Sequence, residues 1–201
     1  VKTPFNFIIE PKGGRYNNTT KVENKDLIIN SEIQNHEFVN REAIVKAVPT
    51  AFDTKIKVGD TVIVHHNVFR RWYDAKGNEK NSKSFVNETT YVVSLDQIFL
   101  YKTPTPWSRY KQYKWKAVDG FCFVKPIKQK NKLNQEAEQS CVGIVKYTDG
   151  VNDIGELVGF TPFSTYEFII EGQKLYRVYN KFITIKYEYQ GDEEEYNPSW
   201  A

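Results

Sequence analysis

Apolar residues in this chain fall in short runs that alternate with polar ones, the period of a half-buried β-strand rather than of a helix. In Phe5-Asn6-Phe7-Ile8-Ile9, the residues Phe5, Phe7 and Ile9 alternate. Pro11 and Gly13-Gly14 mark the exit, because proline cannot donate to a sheet ladder. Ala43-Ile44-Val45-Lys46-Ala47-Val48 predicts a strand closed by Pro49. The stretch from Lys55 to Val64 reads as a turn at Val58-Gly59-Asp60 feeding a strand in which Val62 and Val64 share one face. Tyr91-Val92-Val93-Ser94 and Ile98-Phe99-Leu100-Tyr101 predict two more strands. No amphipathic helix is expected; the best candidate, Asn134 to Ser140, falls in a short loop.

After Thr103-Pro104-Thr105-Pro106, which proline keeps extended, the same elements return in the same order. Gly120-Phe121-Cys122-Phe123-Val124-Lys125-Pro126 answers Phe7-Ile8-Ile9-Glu10-Pro11, and Gly143-Ile144-Val145-Lys146 answers Ala43-Ile44-Val45-Lys46. Gly155-Glu156-Leu157-Val158 answers Gly59-Asp60-Thr61-Val62. Tyr176-Arg177-Val178 answers Tyr91-Val92-Val93, and Ile183-Thr184-Ile185 answers Ile98-Phe99-Leu100. Five matches in one order imply a duplication. The copies differ in their loops: 33 positions separate Pro11 from Ile44 but 18 separate Pro126 from Ile144, and 32 separate Gly59 from Tyr91 but 21 separate Gly155 from Tyr176.

The expected fold class is therefore all-β. Its first domain covers residues 1–102 with a long loop at about 14–40, and a linker covers 103–117. A second domain covers 118–188, and an acidic, solvated tail covers 189–201. From Arg15 to Asn40 the chain is polar and without sustained period, apart from the isolated tripeptide Leu27-Ile28-Ile29. A loop of that length inside a small domain is either functional or disordered.

Composition adds limits. The chain has 201 residues, 40% of them hydrophobic, with 13 Phe and 13 Tyr, enough for one or two cores. No apolar run approaches the roughly 20 residues of a membrane span, and no charged start precedes an apolar segment as in a secretory signal. With Val1 first and no Met, removal of an initiator Met and a cytoplasmic location are expected. A richness in Lys, Asn, Tyr and Ile suits an AT-rich genome, such as that of many viruses. Cys122 and Cys141 are expected as two buried thiols rather than a disulfide.

The net charge of +3 is too small to argue for nucleic acid. Trp107-Ser108-Arg109-Tyr110-Lys111-Gln112-Tyr113-Lys114-Trp115-Lys116 interleaves aromatics with cations and could stack bases of a single strand. The favoured reading is a plain strand, with Tyr113 and Trp115 inward and Lys114 and Lys116 toward water. His65 and His66, as neighbours on a strand, point to opposite faces and so do not share a metal. No nucleophile elbow, phosphate loop or dinucleotide fingerprint is present. No catalytic residue, metal site, cofactor or enzymatic activity is expected.

Taken together, Arg41-Glu42-Ala43-Ile44-Val45-Lys46-Ala47-Val48, Val58-Gly59-Asp60-Thr61-Val62 and Ser94-Leu95-Asp96-Gln97-Ile98 resemble the signatures of GroES-type co-chaperonins, the chaperonin-10 family. The likeness covers residues 4–101 well and 118–187 more loosely. It implies two tandem GroES-like irregular β-barrels, the second with shortened loops. It also implies assembly into a ring homo-oligomer, of seven subunits in most members, that caps a group I chaperonin ring in its nucleotide-bound state. In that family a mobile loop docks through an aliphatic tripeptide; carried across by position, the loop is about Gly14 to Asn35 and the tripeptide Leu27, Ile28 and Ile29. Asp26 stands where the family has Gly, and Pro49 to Lys57 is too short for the family's roof hairpin. The tandem form resembles the double co-chaperonins of plastids, but the loop Ile127 to Gln139 has no aliphatic tripeptide, so one docking site per chain is expected. Two other readings stand beside this one. Leu27-Ile28-Ile29 is a short strand of the first barrel, or the whole chain is a virion structural or decoration protein whose partners are capsid or tail proteins.

Overall fold

The computed structural model describes residues 2–16, 19–22, 25–28, 39–104, 114–129, 137–188, 191 and 193–200. The chain divides into two compact units, Val1–Lys114 and Trp115–Ala201. Both are built of antiparallel strands, and the helical segments among the described residues are short 3-10 turns. No helix among the described residues is long and apolar enough to cross a membrane.

The first unit contains β1 (Phe7–Pro11), β2 (Thr19–Val22), β3 (Lys25–Ile28), β4 (Glu42–Ala47) and β5 (Thr61–Val64). It continues with β6 (Arg71–Tyr73), β7 (Glu79–Asn81), β8 (Phe85–Asn87), β9 (Thr90–Val93) and β10 (Ile98–Lys102). Its main sheet runs β10–β5–β4–β1–β9–β8, while β2–β3 and β6–β7 form separate two-stranded sheets. The second unit contains β11 (Lys116–Ala117), β12 (Phe121–Lys128), β13 (Glu138–Thr148), β14 (Leu157–Phe160), β15 (Thr165–Ile170), β16 (Gln173–Tyr179) and β17 (Ile183–Tyr187). Its sheet, read from the far edge, runs β17–β14–β13–β12–β16–β15. Set aside the two inserted hairpins and the strand orders of the two units are the same.

Register repeats as well. Ile9, Glu10 and Pro11 face Val45, Ile44 and Ala43, as Val124, Lys125 and Pro126 face Val145, Ile144 and Gly143. Phe7 faces Val93 and Cys122 faces Val178. A register shift lies between Ile8 and Ile9 in one unit and between Phe123 and Val124 in the other. The turn that opens β5 is repeated bond for bond. Gly59 N donates to Val45 O at 2.8 Å and Gly155 N to Val145 O at 2.9 Å. Asp60 Oδ2 accepts from Lys57 N at 2.8 Å and Glu156 Oε2 from Asp153 N at 2.9 Å. Both turns require a left-handed backbone, φ 91° at Gly59 and 92° at Gly155, which glycine adopts at no steric cost.

Burial follows the same correspondence. Phe7, Ile9, Val45, Val62, Val64 and Val93 are fully buried in the first unit. Cys122, Val124, Val145, Val158, Phe160 and Val178 form the matching cluster in the second. A large residue at the first position and a small one at the fifth (Phe7, Val64) become a small and a large one (Cys122, Phe160). That exchange conserves core volume, the condition under which interiors tolerate substitution.

Several expectations are corrected. Both main sheets are open, with no ladder joining β8 to β10 or β15 to β17. Phe5 is exposed, because the chain bends at Pro4 and Phe5 where Thr50 and Ala51 donate to Pro4 O, so the strand begins only at Phe7. Glu138 to Ser140 extend β13, Ala137 is a bend just before it, and residues 134–136 of that candidate helix lie outside the described residues. The acidic end is not simply solvated: Glu194 and Glu195 pair with lysines of the second unit, and Pro198 is buried. Cys122 is buried as expected, whereas Cys141 is only partly so. Burial, with the Asp149 charge adding to it, pushes the Cys122 thiol up to about 12 and keeps it protonated.

Candidate functional site: the inserted hairpins of the first unit

The two longer spacings of the first half are the β2–β3 hairpin, between β1 and β4, and the β6–β7 hairpin, between β5 and β8. Leu27 and Ile28 lie on β3, where Leu27 faces Thr20 and Ile28 faces Thr19. Ile29 lies outside the described residues. The tripeptide is therefore in part a strand, but of a two-stranded ribbon apart from the main sheet. Leu27 is 56% exposed, an aliphatic side chain turned largely to water. A lone two-stranded ribbon has marginal stability, so its setting depends on how it is rooted.

The root is heavily bonded. Tyr16 bridges antiparallel to Val39, closing the stretch 17–38 at its base. Asn40 N donates to Arg15 O at 2.9 Å, and the Asn40 amide donates to Lys12 O and Gly14 O at 3.1 and 2.9 Å. Arg15 is buried. It donates through Nη2 to Asn81 Oδ1 on β7 at 2.7 Å and through Nε to Phe69 O at 3.3 Å. Its guanidinium lies 5.0 Å from the Phe85 ring and 5.8 Å from that of Tyr91, within cation–π range. The pairing with Glu88 at 3.4 Å is to a largely exposed carboxylate and adds little. Tyr16 completes the root: its hydroxyl accepts from Arg71 N on β6 at 2.9 Å, and the Arg71 guanidinium sits 5.4 Å over its ring.

Arg15 and Tyr16, at the mouth of the first insertion, thus tie it to the second. Burial pushes the Tyr91 hydroxyl up to about 12, against the Arg15 charge that would lower it, so this ring meets Arg15 as a neutral phenol. On the outer part of β6, Trp72 and Tyr73 remain exposed. Sequence reading missed Arg15, Tyr16, Arg71 and Asn81 as a group. The available signal was an arginine and a tyrosine directly after Gly13-Gly14, with nothing to name their partners more than 50 residues away.

Other candidates resolve differently. Trp115 is buried and its indole donates to Glu171 at 3.1 Å, with Lys114 and Lys116 exposed; Tyr113 and the rest of the basic-aromatic stretch up to it lie outside the described residues. His65 and His66 are not on a strand. β5 ends at Val64, His65 caps a 3-10 turn through Nδ1, and the two rings lie 4.3 Å apart. Among the described residues no group of three or more His, Cys, Asp or Glu side chains is gathered to hold a metal.

No protein-family model matches the chain, and no curated protein matches it in sequence.

Proposed function

We propose that this chain is a co-chaperonin: a tandem pair of GroES-like units, each built on an open antiparallel sheet, whose first member docks on a group I chaperonin ring through the β2–β3 hairpin, assisting protein folding without chemistry of its own. The observation that carries this reading is Leu27, exposed on a ribbon that has no counterpart among the described residues of the second unit and that Arg15 and Tyr16 root firmly. Burying one such aliphatic side chain in a partner's groove contributes about 1.5–3 kcal/mol before the entropy of ordering is subtracted. Single contacts of that size are weak and reversible. Several copies on one ring-shaped homo-oligomer, seven by analogy with the family, multiply into useful avidity. The signature Val58-Gly59-Asp60-Thr61-Val62, with its capped turn, supports the family reading.

The test is co-sedimentation with a purified group I chaperonin ring and nucleotide. The unaltered chain is expected to pellet with the ring, and Leu27→Asp to remain in the supernatant while keeping its fold. Failure to bind, together with recovery of the chain in purified virus particles, would instead support the assembly-module reading with capsid or tail proteins as partners.

A further inference from the structure

In the first unit the facing strands β1 and β4 neutralise one another, Glu10 pairing with Lys46 at 2.5 Å. The ladders put Lys125 and Lys146 at these same two positions of the second unit, since Glu10 faces Ile44 and Lys125 faces Ile144. Two cations therefore stand where an ion pair stands in the other copy. Lys125 cannot turn to water, its side chain being 9% exposed. A buried ammonium without a counter-charge is strongly unfavourable.

The carboxylate comes from far along the chain. Glu195 pairs with Lys125 Nζ at 3.0 Å and also with Lys146. Among the described residues it is the one carboxylate that Lys125 meets, the other partner being the Gln173 amide at 3.4 Å. The segment carrying Glu195 is held by an isolated β-bridge and the backbone bonds beside it. Glu195 bridges antiparallel to Ile127, Lys128 N donates to Glu194 O at 2.8 Å, and Tyr196 N donates to Pro126 O at 2.8 Å. Asn197 then accepts from Lys174 N at 2.9 Å and donates to Gly172 O at 3.0 Å. Backbone pairing for affinity, with a side-chain requirement at one register position, is a mode by which proteins recognise extended peptides.

We propose that Lys125 and Lys146 form a binding seat for an extended peptide that presents a carboxylate, and that residues 193–200 of this chain are its resident occupant. In this seat the second unit holds Lys125 at the position that Glu10 occupies in the first. Its recognition elements do not depend on the covalent link, so the same segment offered in trans competes for it. Glu195 is 38% exposed, so added salt weakens the hold.

A labelled peptide of residues 188–201, followed by fluorescence anisotropy, tests this with the full chain. The tethered segment has the advantage of high effective concentration, so the strap is first weakened with Glu195→Gln. That variant is expected to bind the peptide at least tenfold more tightly than the unaltered chain, and less tightly as salt rises. Lys125→Glu rebuilds the Glu–Lys pair of the first unit, and Lys146→Glu builds it in the opposite sense. Either variant that folds should lose both peptide binding and the amide-exchange protection of residues 193–200. Equal binding of a scrambled peptide, or a folded Lys125→Glu or Lys146→Glu chain that keeps its strap protected, would overturn the proposal.

Discussion

The two units share a strand order, a register and a capped turn, and differ in what was added to that frame. The first carries two hairpins, tied at the root by Arg15 and Tyr16, and neutralises Lys46 from within through Glu10. Among its described residues the second has neither hairpin between the corresponding strands, and its matching lysine relies on Glu195 from near the end of the chain. One copy has gained a ribbon that presents Leu27 outward; the other has been closed by a strap. Both copies nevertheless keep the bonds of the turn that opens β5 and β14.

The largest expected break in this symmetry is at Gly143, whose counterpart is the buried Ala43. A Cβ at Gly143 would lie 2.4 Å from Lys125 O and 2.6 Å from Val124 Cγ1, so β12 and β13 approach more closely than a methyl allows. Gly143→Ala is expected to cost about 3 kcal/mol in chemical denaturation, and Ala43→Gly only about 1 kcal/mol. Equal costs would mean the two ladders are spaced alike.

Next comes the root of the inserted hairpin. Arg15→Gln removes its charge-assisted bonds to Phe69 O and Asn81 and should cost about 2 kcal/mol. Amide exchange at residues 19–22 and 25–28 should accelerate, with no change in the second unit. A uniform loss across both units would contradict the view that Arg15 serves the insertion.

The turn glycines sharpen the comparison in the opposite way. Gly59→Ala and Gly155→Ala each force a methyl-bearing residue into the left-handed region, at about 1–2 kcal/mol. The account expects the two values to agree, and a clear difference in denaturation would show that the turns are not equivalent.

The smallest effect is that of acid on the strap. Burial opposes ionisation of Glu195, but hydrogen bonds from Lys146 and Lys125 outweigh it and hold the carboxyl below its ordinary value of 4.5. Its contribution to stability is therefore fully present above that value and is lost as pH falls through the lower, folded one. Exchange protection of residues 193–200 should persist to pH 5 and fade below about 4.5; fading near neutrality would point to some other group.

What could be read in the sequence, and what could not, follows from the range of the interactions. The turn at Val58-Gly59-Asp60 and its echo at Ile154-Gly155-Glu156 were legible because glycine and a carboxylate act within three residues of one another. The two hairpins were legible only as extra length, 33 positions against 18 and 32 against 21. Arg15 reaching Asn81, and Glu195 reaching Lys125, join residues 66 and 70 positions apart with no period to announce them. The acidic end for this reason looked like a solvated tail, and the charge inversion between Glu10 and Lys125 had no visible consequence until the ladders aligned them.

The division of labour between the copies can be tested most directly by amide exchange of the full chain, alone and with a nucleotide-bound group I chaperonin ring. The account predicts new protection at residues 19–22 and 25–28 of the first unit, with the strands of the second unchanged. Protection that instead falls on the second unit, or none at saturating ring, would contradict it.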